Sequence, residues 1–382
     1  MEEKSTSILI AGDLVIDQAY ETSNINSNVV DLFNNSDLNI VNLEAPVTAS
    51  NSKIIKTGPH LKSNEKSTLE VLKVLRIDAV TLANNHLLDY DEKGVKDTLE
   101  FCENNKIHTI GAGMNLNEAS KTKYFDTKEG KIALVNFAEN EWSSATEETA
   151  GANPMDIIDN TNQIKEAKKN ADFVFVIIHG GHEYYNLPSP RMQKQYRFYA
   201  EQGADLIVGH HTHCISGHET YKGVPIYYSL GNFLFTKPST YEDWYSGLVL
   251  RITIDDNKKI KTDEFVIKQQ RDFSLKLLND NETKIIIDRF NNYSEIINNK
   301  FKLNKSWHEN IKHETTNYLK ILSPNSFLKN RYLRGVANRL KINNKRGNSL
   351  LLNMLKCESH RDLSIEVSKK YLNDKIEKIK VD

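Results

Sequence analysis

Residues Leu206 to Glu219 read LIVGHHTHCISGHE, a short apolar run followed by four histidines within fourteen positions. A short apolar run that ends at a glycine is typical of a buried strand. The histidines begin where that strand would end, and imidazole is the commonest metal ligand among side chains. The stretch therefore predicts a strand with metal ligands at its end, and the ends of the other strands are where further ligands are expected.

The rest of the chain alternates short apolar runs with segments that have apolar residues at helical spacing. The predicted strands are Ser7–Ala11, Leu38–Leu43, Ala79–Leu82, Lys131–Phe137, Phe173–Ile178, Asp205–Val208, Pro225–Ser229 and Gly247–Ile254. The predicted helices are Asn64–Leu75, Lys93–Glu103, Thr161–Lys169 and Arg191–Gln202. Continuous apolar runs such as FVFVII are what a sheet covered on both faces requires. The pattern predicts an α/β fold.

Length and charge divide the chain into two predicted parts. A chain of 382 residues is longer than one hydrophobic core usually supports. Residues 271–382 hold 23 Lys and Arg against 13 Asp and Glu, whereas residues 1–270 hold 27 against 38. We predict an α/β domain over residues 1–270 and a basic, mainly helical region over residues 271–382, with helical spacing in Glu282–Phe301 and Asp362–Ile379.

The compartment is predicted from cysteine usage and from the first residues. Three cysteines lie far apart without a C-x-x-C pair, which disfavours disulfides and a thiolate zinc site. MEEKSTSILIAGD is acidic where a secretory leader is basic, and no apolar run approaches the roughly 18 residues of a membrane span. We predict a cytoplasmic protein without a transmembrane segment; the sequence leaves its oligomeric state open.

Metal-competent or acid–base side chains follow nearly every predicted strand. The clusters are Gly12-Asp13, Asn42-Leu43-Glu44, Asn84-Asn85-His86 with Asp89, His179 with Glu183, and His210-His211-Thr212-His213. Each could be structural by itself, since aspartate caps helices, asparagine forms turns and histidine can be a core residue. Five clusters at the carboxyl ends of strands in one α/β pattern favour a metal site.

These residue types suit a pair of divalent cations about 3.5–4 Å apart, which need carboxylates, neutral ligands and open positions for water and substrate. On an extended loop alternate residues point the same way, so His211 and His213 are expected to direct their rings to one side. The absence of thiolates favours Mn, Zn or Fe, and the sequence does not choose among them.

Successive motifs resemble those of the CapA family of poly-gamma-glutamate capsule synthesis proteins. They are GDLVIDQ, IVNLEAPVT, TLANNHLLDYDEKG, IGAG, IIHGGHEY and GADLIVGHHTHCISGHETYKGVPIYYSLGNFLF, in the family's order over roughly Ser7 to Ile267. The resemblance implies a metallophosphoesterase-like layered β-sandwich flanked by helices, with a mainly helical C-terminal appendage. Thr212 replaces the family's usual proline without removing a ligand, and Gly180-Gly181 replace a common tryptophan, which implies a more open pocket wall.

The resemblance also implies the ligands of two divalent cations. Asp13 and His213 would hold one cation, and Glu44 would lie between the two. The ligands of the other cation would be Asn85, His179 and His211.

Further roles are implied for residues around the cations. His86 would give a proton or a hydrogen bond to the leaving group, oriented by Asp89. His210 would support the neighbouring ligands. Glu183 and Arg191 match family positions near the substrate. Capping or packing is the alternative for His86, and a surface ion pair is the alternative for Glu183 and Arg191.

Hydrolysis is the predicted activity, because two cations can make a water nucleophilic and stabilise charge on the leaving oxygen. The fold suggests a phosphoester substrate and the family's polymer suggests an amide, and the residues do not decide between them. The alternative function is a non-catalytic, metal-bound scaffold or binding protein for an anionic polymer.

A basic segment lies within the C-terminal region. Lys329 to Arg346, KNRYLRGVANRLKINNKR, hold seven basic residues and no acidic one. A solvated helix face is one interpretation of this pattern. The other is a surface for a polyanion such as capsule polymer, nucleic acid or acidic lipid.

Overall fold

The structure is a computed structural model that describes residues 5–56, 58–322 and 330–339, together with residues 351 and 355. The strands are β1 (Thr6–Val15), β2 (Leu38–Leu43), β3 (Ala79–Thr81), β4 (His108–Ile110), β5 (Ala112–Gly113), β6 (Lys123–Thr127), β7 (Gly130–Ala138), β8 (Gly151–Ala152), β9 (Phe173–His179), β10 (Leu206–His210), β11 (His218–Tyr221), β12 (Val224–Tyr227), β13 (Asn232–Phe235), β14 (Ser246–Ile254), β15 (Ile260–Gln269) and β16 (Leu275–Leu277). The helices are α1 (Ser27–Asn34), α2 (Glu65–Val74), α3 (Asp91–Asn104), α4 (Leu116–Ala119), α5 (Ile157–Asn170), α6 (Pro190–Glu201), α7 (Asp280–Asn298), α8 (Lys300–Leu322) and α9 (Arg331–Arg339).

Two large sheets contain all eight predicted strands. The first has the order β16-β15-β14-β1-β2-β3-β4, and β13 pairs with the end of β1 as its eighth strand. The second has six strands in the order β11-β12-β10-β9-β7-β6. The central strands β1 to β4 run parallel, as do β12, β10, β9 and β7, whereas the flanking strands pair antiparallel.

The sheets pack face to face and helices cover both outer faces. In β9, Phe175 and Ile177 belong to the core between the sheets, while Val174, Val176 and Ile178 belong to the core under α5 and α6. The other outer core joins alternate residues of β1 and β2 to apolar residues of α1, α2 and α3. Both faces of the sheets are therefore buried, as the continuous apolar runs predicted. The prediction of a layered β-sandwich flanked by helices is confirmed.

The described chain divides into two compact units, residues 1–305 and 306–382. The first contains both sheets and also α7, because Phe290 is buried in the inter-sheet core and Ser294 Oγ accepts a hydrogen bond from the His218 backbone at 2.9 Å. The predicted helical character after residue 271 is confirmed in α7, α8 and α9. The helix predicted at Asp362–Ile379 lies outside the described residues, and the domain boundary at residue 270 stays a prediction.

Within the described ranges, no helix is both long enough and apolar enough to cross a bilayer.

A β-bulge in β1 sets the direction of Asp13. The register of β1 on β2 shifts between Ala11 and Asp13, and its register on β13 shifts after Asp13. Gly12 passes so close to the neighbouring backbone that a Cβ there would lie 1.9 Å from Gly231 O. Bulges re-aim side chains at the ends of strands, and only glycine allows this close approach.

We expect Gly12→Ala to destabilise the protein, because the added methyl group meets backbone that has no freedom to move. Overpacking of this kind costs about 1–3 kcal/mol. The thermal unfolding temperature should therefore fall by several degrees, whereas Gly335→Ala, with nothing within 4 Å of the added Cβ, should leave it unchanged or slightly higher. Equal melting temperatures for the Gly12 variant and the wild type would contradict the packing described above.

Candidate metal centre

Glu44 lies at the centre of the cluster that the sequence predicted. It follows the last residue of β2, and its side chain is 0% exposed. Neither carboxylate oxygen has a hydrogen-bond partner among the described residues. Oε1 faces two imidazoles, at 3.5 Å from His179 Nε2 and 3.8 Å from His213 Nε2. A buried carboxylate normally requires hydrogen bonds or a positive charge, and the groups that face Oε1 here are ring nitrogens.

Asp13 lies on the other side of the two imidazoles. It is fully buried, and Asn42 Nδ2 donates to its Oδ1 at 2.7 Å. The His211 backbone N–H donates to Oδ2 at 3.2 Å, and His213 Nδ1 lies 3.6 Å from the same oxygen. The Asp13 carboxylate therefore connects the bulge in β1 to the histidine loop after β10.

His179, the last residue of β9, brings the remaining predicted ligands together. Its Nε2 lies 3.0 Å from Asn85 Oδ1, 3.0 Å from His211 Nδ1 and 3.5 Å from Glu44 Oε1. A single hydrogen on Nε2 can satisfy only one of these three neighbours. The lone pairs of several ligand atoms thus converge on one small volume.

The six predicted ligands form two groups that share Glu44. One ligand atom from each member lies within 4.8 Å of the others in the group Glu44, His179 and His211, and also in the group Asp13, Glu44 and His213. Asn85 adds its amide oxygen to the first group through His179. The structure thus brings together all six residues, with Glu44 common to both groups as the resemblance implied.

The histidine loop is not extended, so the expected reason for its geometry was wrong. His211 has φ 95° and His213 has φ 56°, values in the left-handed region that side chains other than glycine rarely adopt. The two rings converge because the backbone turns at each ligand, and not because alternate residues of an extended chain point the same way. Such backbone strain is typical of functional sites held by their surroundings.

Burial shifts the ionisation of the cluster away from charge. It raises the pKa of Asp13 to about 7 and, with the nearby Asp13 carboxylate, raises the pKa of Glu44 well above its usual value. Burial also lowers the pKa of His211 to about 4 and that of His213 to about 3. These shifts favour neutral imidazoles, which can act as metal ligands, and they favour ionised carboxylates only where positive charge is close by.

His86 and Asp89 lie beside this cluster in the predicted arrangement. His86 Nδ1 is 2.7 Å from Asp89 Oδ2, and since a carboxylate oxygen only accepts, the hydrogen lies on Nδ1. Burial lowers the pKa of His86, and Asp89 opposes that shift. The predicted contact between His86 and Asp89 is present, and His86 lines the cavity described below.

His210 is buried at the end of β10, opposite His179 in the register of β9 and β10. Neither ring nitrogen has a hydrogen-bond partner in the part of the chain that the structure describes. Burial lowers the pKa of His210 to about 3, with the Ala11 backbone acting in the opposite direction. The supporting role of His210 stays a prediction, because no hydrogen bond joins it to a described ligand.

A cavity of about 330 Å³ opens onto the cluster. The predicted substrate residue Glu183 lines it, and Arg191 is not among its lining residues. The Arg191 guanidinium instead pairs with Glu139 and donates to Gln195 Oε1 at 2.8 Å. The remaining walls combine aromatic and charged side chains: Lys56, Glu141, Trp142, Tyr184, Lys237 and Trp244.

Three further residues contact the site, of which Glu141 and Lys56 were missed in the sequence. Asn232, which begins β13, has Oδ1 2.9 Å from His213 Nδ1 while its Nδ2 donates to Trp244 O, so His213 is left with a bare Nε2. Glu141 Oε1 lies 3.7 Å from His211 Nε2. Lys56 pairs with Asp89 inside the protein. Glu141 and Lys56 lie in irregular segments, where no strand or helix pattern marked them for attention.

Comparisons of the sequence with known proteins identify the family of this chain. Residues 7–237 match the family described as bacterial capsule synthesis protein PGA_cap. The PGA biosynthesis protein CapA of Bacillus subtilis (strain 168) is 40% identical over 209 residues, which make up 53% of this chain and 54% of that protein. The capsule biosynthesis protein CapA of Bacillus anthracis is 32% identical over 250 residues, 61% of each chain. The chain thus spans between about half and two thirds of the length of these relatives.

A solved phosphatase structure from Mycoplasma pneumoniae is also similar. It has a TM-score of 0.44 and 14% identity, and the likeness covers 74% of this chain and 97% of that chain. A similarity of this size carries no argument about activity. The fold of this chain is the layered sandwich flanked by helices described above, with the predicted ligand residues at and after the strand ends. Because the family match extends over more than half of its residues, the chain belongs to the PGA_cap family of bacterial capsule synthesis proteins.

Proposed function

We propose that the protein is a metal-dependent hydrolase that uses two divalent cations and cleaves a phosphoester or amide bond in an anionic substrate, in the metabolism of a capsule polymer such as poly-gamma-glutamate. The observation that supports this proposal most is Glu44, whose buried carboxylate faces two imidazoles without a hydrogen bond. Without a cation, this arrangement would carry the full cost of burying polar groups unpaired.

The donor set fits divalent transition metals. Asp13, Glu44 and Asn85 offer oxygen, and His179, His211 and His213 offer nitrogen. A mixed set without thiolate suits Mn, Zn or Fe and differs from the cysteine sites typical of structural zinc. When bound, a pair of such cations supplies a nucleophilic water at neutral pH and positive charge for the transition state.

The chain's own residues would perform the rest of the reaction. His86 is held at Nδ1 by Asp89, which leaves Nε2 for a ligand in the cavity. Once protonated at Nε2, as an imidazolium that Asp89 stabilises, it would give that proton to the leaving oxygen or nitrogen. Lys237 lines the same cavity and would attract an anionic substrate. Glu183 would orient the substrate or its water from the rim. Arg191 would contribute only if it leaves Glu139, and we propose for it a role at the edge of a longer polymer.

Glu44→Gln tests the cation site with minimal change in shape. We expect the wild type, dialysed against Mn²⁺ or Zn²⁺, to hold about two equivalents of metal. The variant loses the carboxylate that is common to both groups. Its affinity for the cations should therefore fall by more than the 10–100-fold that is lost when a hydrogen-bond partner of a metal ligand is removed. Elemental analysis and calorimetric titration measure both quantities.

Glu166→Gln is the matched control, because Glu166 is an exposed residue of α5. It should bind metal like the wild type. Unchanged stoichiometry and affinity in Glu44→Gln would rule out the cation site as described.

His86→Ala separates an enzyme from a non-catalytic scaffold. If the protein is a hydrolase, the variant should keep both cations while kcat falls by about 10²–10⁴-fold, the usual contribution of a general acid or base. The Mn²⁺-loaded protein would be assayed on bis(p-nitrophenyl) phosphate and on a γ-glutamyl p-nitroanilide, which compares phosphoester with amide cleavage. His108→Ala, at the opposite end of the first sheet, is the control. An equal rate in His86→Ala and wild type would favour the scaffold.

A polyanion contact through the basic segment Lys329–Arg346 is a second part of the proposal. The structure describes residues 330–339 of this segment, and Arg331 and Arg339 of α9 are exposed. Tyr332 and Leu333 are exposed beside them, at 75% and 59%. Basic groups flanked by exposed apolar ones suit a polymer that carries both charge and aliphatic chain.

Charge reversal at Arg331 and Arg339 should weaken retention on immobilised poly-glutamate. Each basic side chain near an anionic surface contributes about 1 kcal/mol at low salt, so the double variant should elute at clearly lower NaCl concentration. The same reversal at two exposed lysines, Lys66 of α2 and Lys96 of α3, serves as the control. Identical elution of both double variants would remove the segment from the proposal.

A further inference from the structure

Lys56 is a buried cation to which the reaction proposed above assigns no role. Its side chain is 2% exposed, and it lies in the irregular segment between β2 and α2. An ammonium group is rarely buried to this degree, because the loss of hydration costs several kcal/mol unless charged or polar partners replace the water. Its partners therefore indicate why it is there.

The ion-pair partner of Lys56 is Asp89, and His86 is a close neighbour and not a hydrogen-bond partner, because the ammonium group and Nδ1–H are both donors. Lys56 Nζ forms an ion pair with Asp89 Oδ1 and lies 3.2 Å from His86 Nδ1. Asp89 is 0% exposed. Its second oxygen, Oδ2, is 2.7 Å from His86 Nδ1 and accepts a hydrogen bond from the Leu61 backbone at 2.7 Å. One carboxylate thus joins the histidine, the lysine and the irregular segment.

The segment is tied to the same point by its backbone. The Ile54 N–H donates to the Asp89 carbonyl at 3.3 Å, and the Ile54 carbonyl lies 2.8 Å from His60 Nε2. Lys56 and Leu61 both line the cavity, as does His86. The segment that carries Lys56 is therefore a wall of the cavity, anchored where the histidine is oriented.

We propose that Lys56 is a positioning residue of this site: its ammonium group fixes the Asp89 carboxylate, which holds His86 with Nδ1 on Asp89 and Nε2 toward the cavity. The two oxygens of the Asp89 carboxylate serve three partners: Oδ1 pairs with Lys56, and Oδ2 accepts from His86 and from the Leu61 backbone. Without Lys56, Oδ1 would be a buried anionic oxygen without its counter-charge, and rotation of Asp89 toward another partner would release the histidine ring. The proposal rests on the proposed hydrolase function only for the catalytic consequence, not for the arrangement itself.

Kinetics on the full chain loaded with Mn²⁺ test the catalytic consequence. Lys56→Met keeps the length of the side chain and removes its charge, and Lys56→Arg keeps the charge. We expect kcat of Lys56→Met to fall by about 10–100-fold, as for a misplaced catalytic group, with little change in KM. Lys56→Arg should recover part of the loss. Lys62→Met is the control, since Lys62 lies in the same segment and contacts Ser50 and the Tyr90 ring instead.

Two features distinguish positioning from general destabilisation. The loss in Lys56→Met should grow as the leaving phenol of an aryl phosphodiester becomes more basic, because His86 assists poor leaving groups most. The double variant Lys56→Met/His86→Ala should be no slower than His86→Ala alone, since a residue that acts through His86 has nothing left to affect. A loss that is independent of the leaving group and additive with His86→Ala would overturn the proposal.

A readout without metal or turnover tests the arrangement directly. Histidine-selective ¹⁵N NMR of the metal-free protein, with the His86 signals assigned from His86→Gln, should show the hydrogen on Nδ1 in the wild type. Lys56→Met should give mixed tautomers or exchange broadening, and Lys62→Met should give the wild-type spectrum. An unaltered His86 spectrum in Lys56→Met would overturn the proposal even if hydrolysis is found. Absence of hydrolysis in the wild type would overturn the proposed function and leave the NMR test decisive for Lys56.

Discussion

A carboxylate that is buried without a hydrogen bond stays charged only if positive charge is nearby, and among the described residues Glu44 is such a group. Much of the surrounding structure is arranged around it. β2 ends directly before it, β9 ends at an imidazole 3.5 Å away, and the loop after β10 turns twice through left-handed backbone to bring His213 to 3.8 Å. The bulge at Gly12 places a second buried carboxylate on the far side of the same rings. Each of these features is costly alone, and together they describe one site.

The two sheets contribute different chemistry to that site. The first sheet would supply oxygen ligands, from Asp13, Glu44 and Asn85, at or after the ends of β1, β2 and β3. The second would supply nitrogen ligands, from His179, His211 and His213, at or after the ends of β9 and β10. Cations held here would join the two layers of the sandwich. They would therefore stabilise the folded state as well as take part in the reaction.

The central strands and the ligands were predictable for the same reason. β1, β2, β9 and β10 are buried on both faces, so their sequences are continuous apolar runs, and any polar residue directly after them is conspicuous. The half-buried strands β6 and β15 were missed, because such strands carry mixed residues, as in KYFDT of β6. β4 and β16 were missed because each has three residues of which only one is buried, whereas the equally short β3 is buried throughout.

Contacts between residues that are far apart in the chain could not be predicted from the sequence. The sequence around Lys56 does not indicate that this side chain is buried, because its partner Asp89 is distant in the chain and lies beside it only in the folded protein. The left-handed φ of His211 and His213 was also hidden, since it depends on packing by β1 and β13 and not on local preference. Asn42 was predicted within a strand and within the cluster Asn42-Leu43-Glu44, but its contacts with both Asp13 and His179 depend on how the two sheets pack.

The position of β1 has a consequence for biosynthesis. Among the described strands it is synthesised before its antiparallel neighbour β14, and the hydrogen bond from Asp17 to Thr236 joins residues 219 positions apart. Until β14 has been made, one edge of this apolar strand stays open to pairing with other chains. The topology that places β1 at the centre of the first sheet is therefore one that favours slow folding, because its contacts join distant parts of the chain.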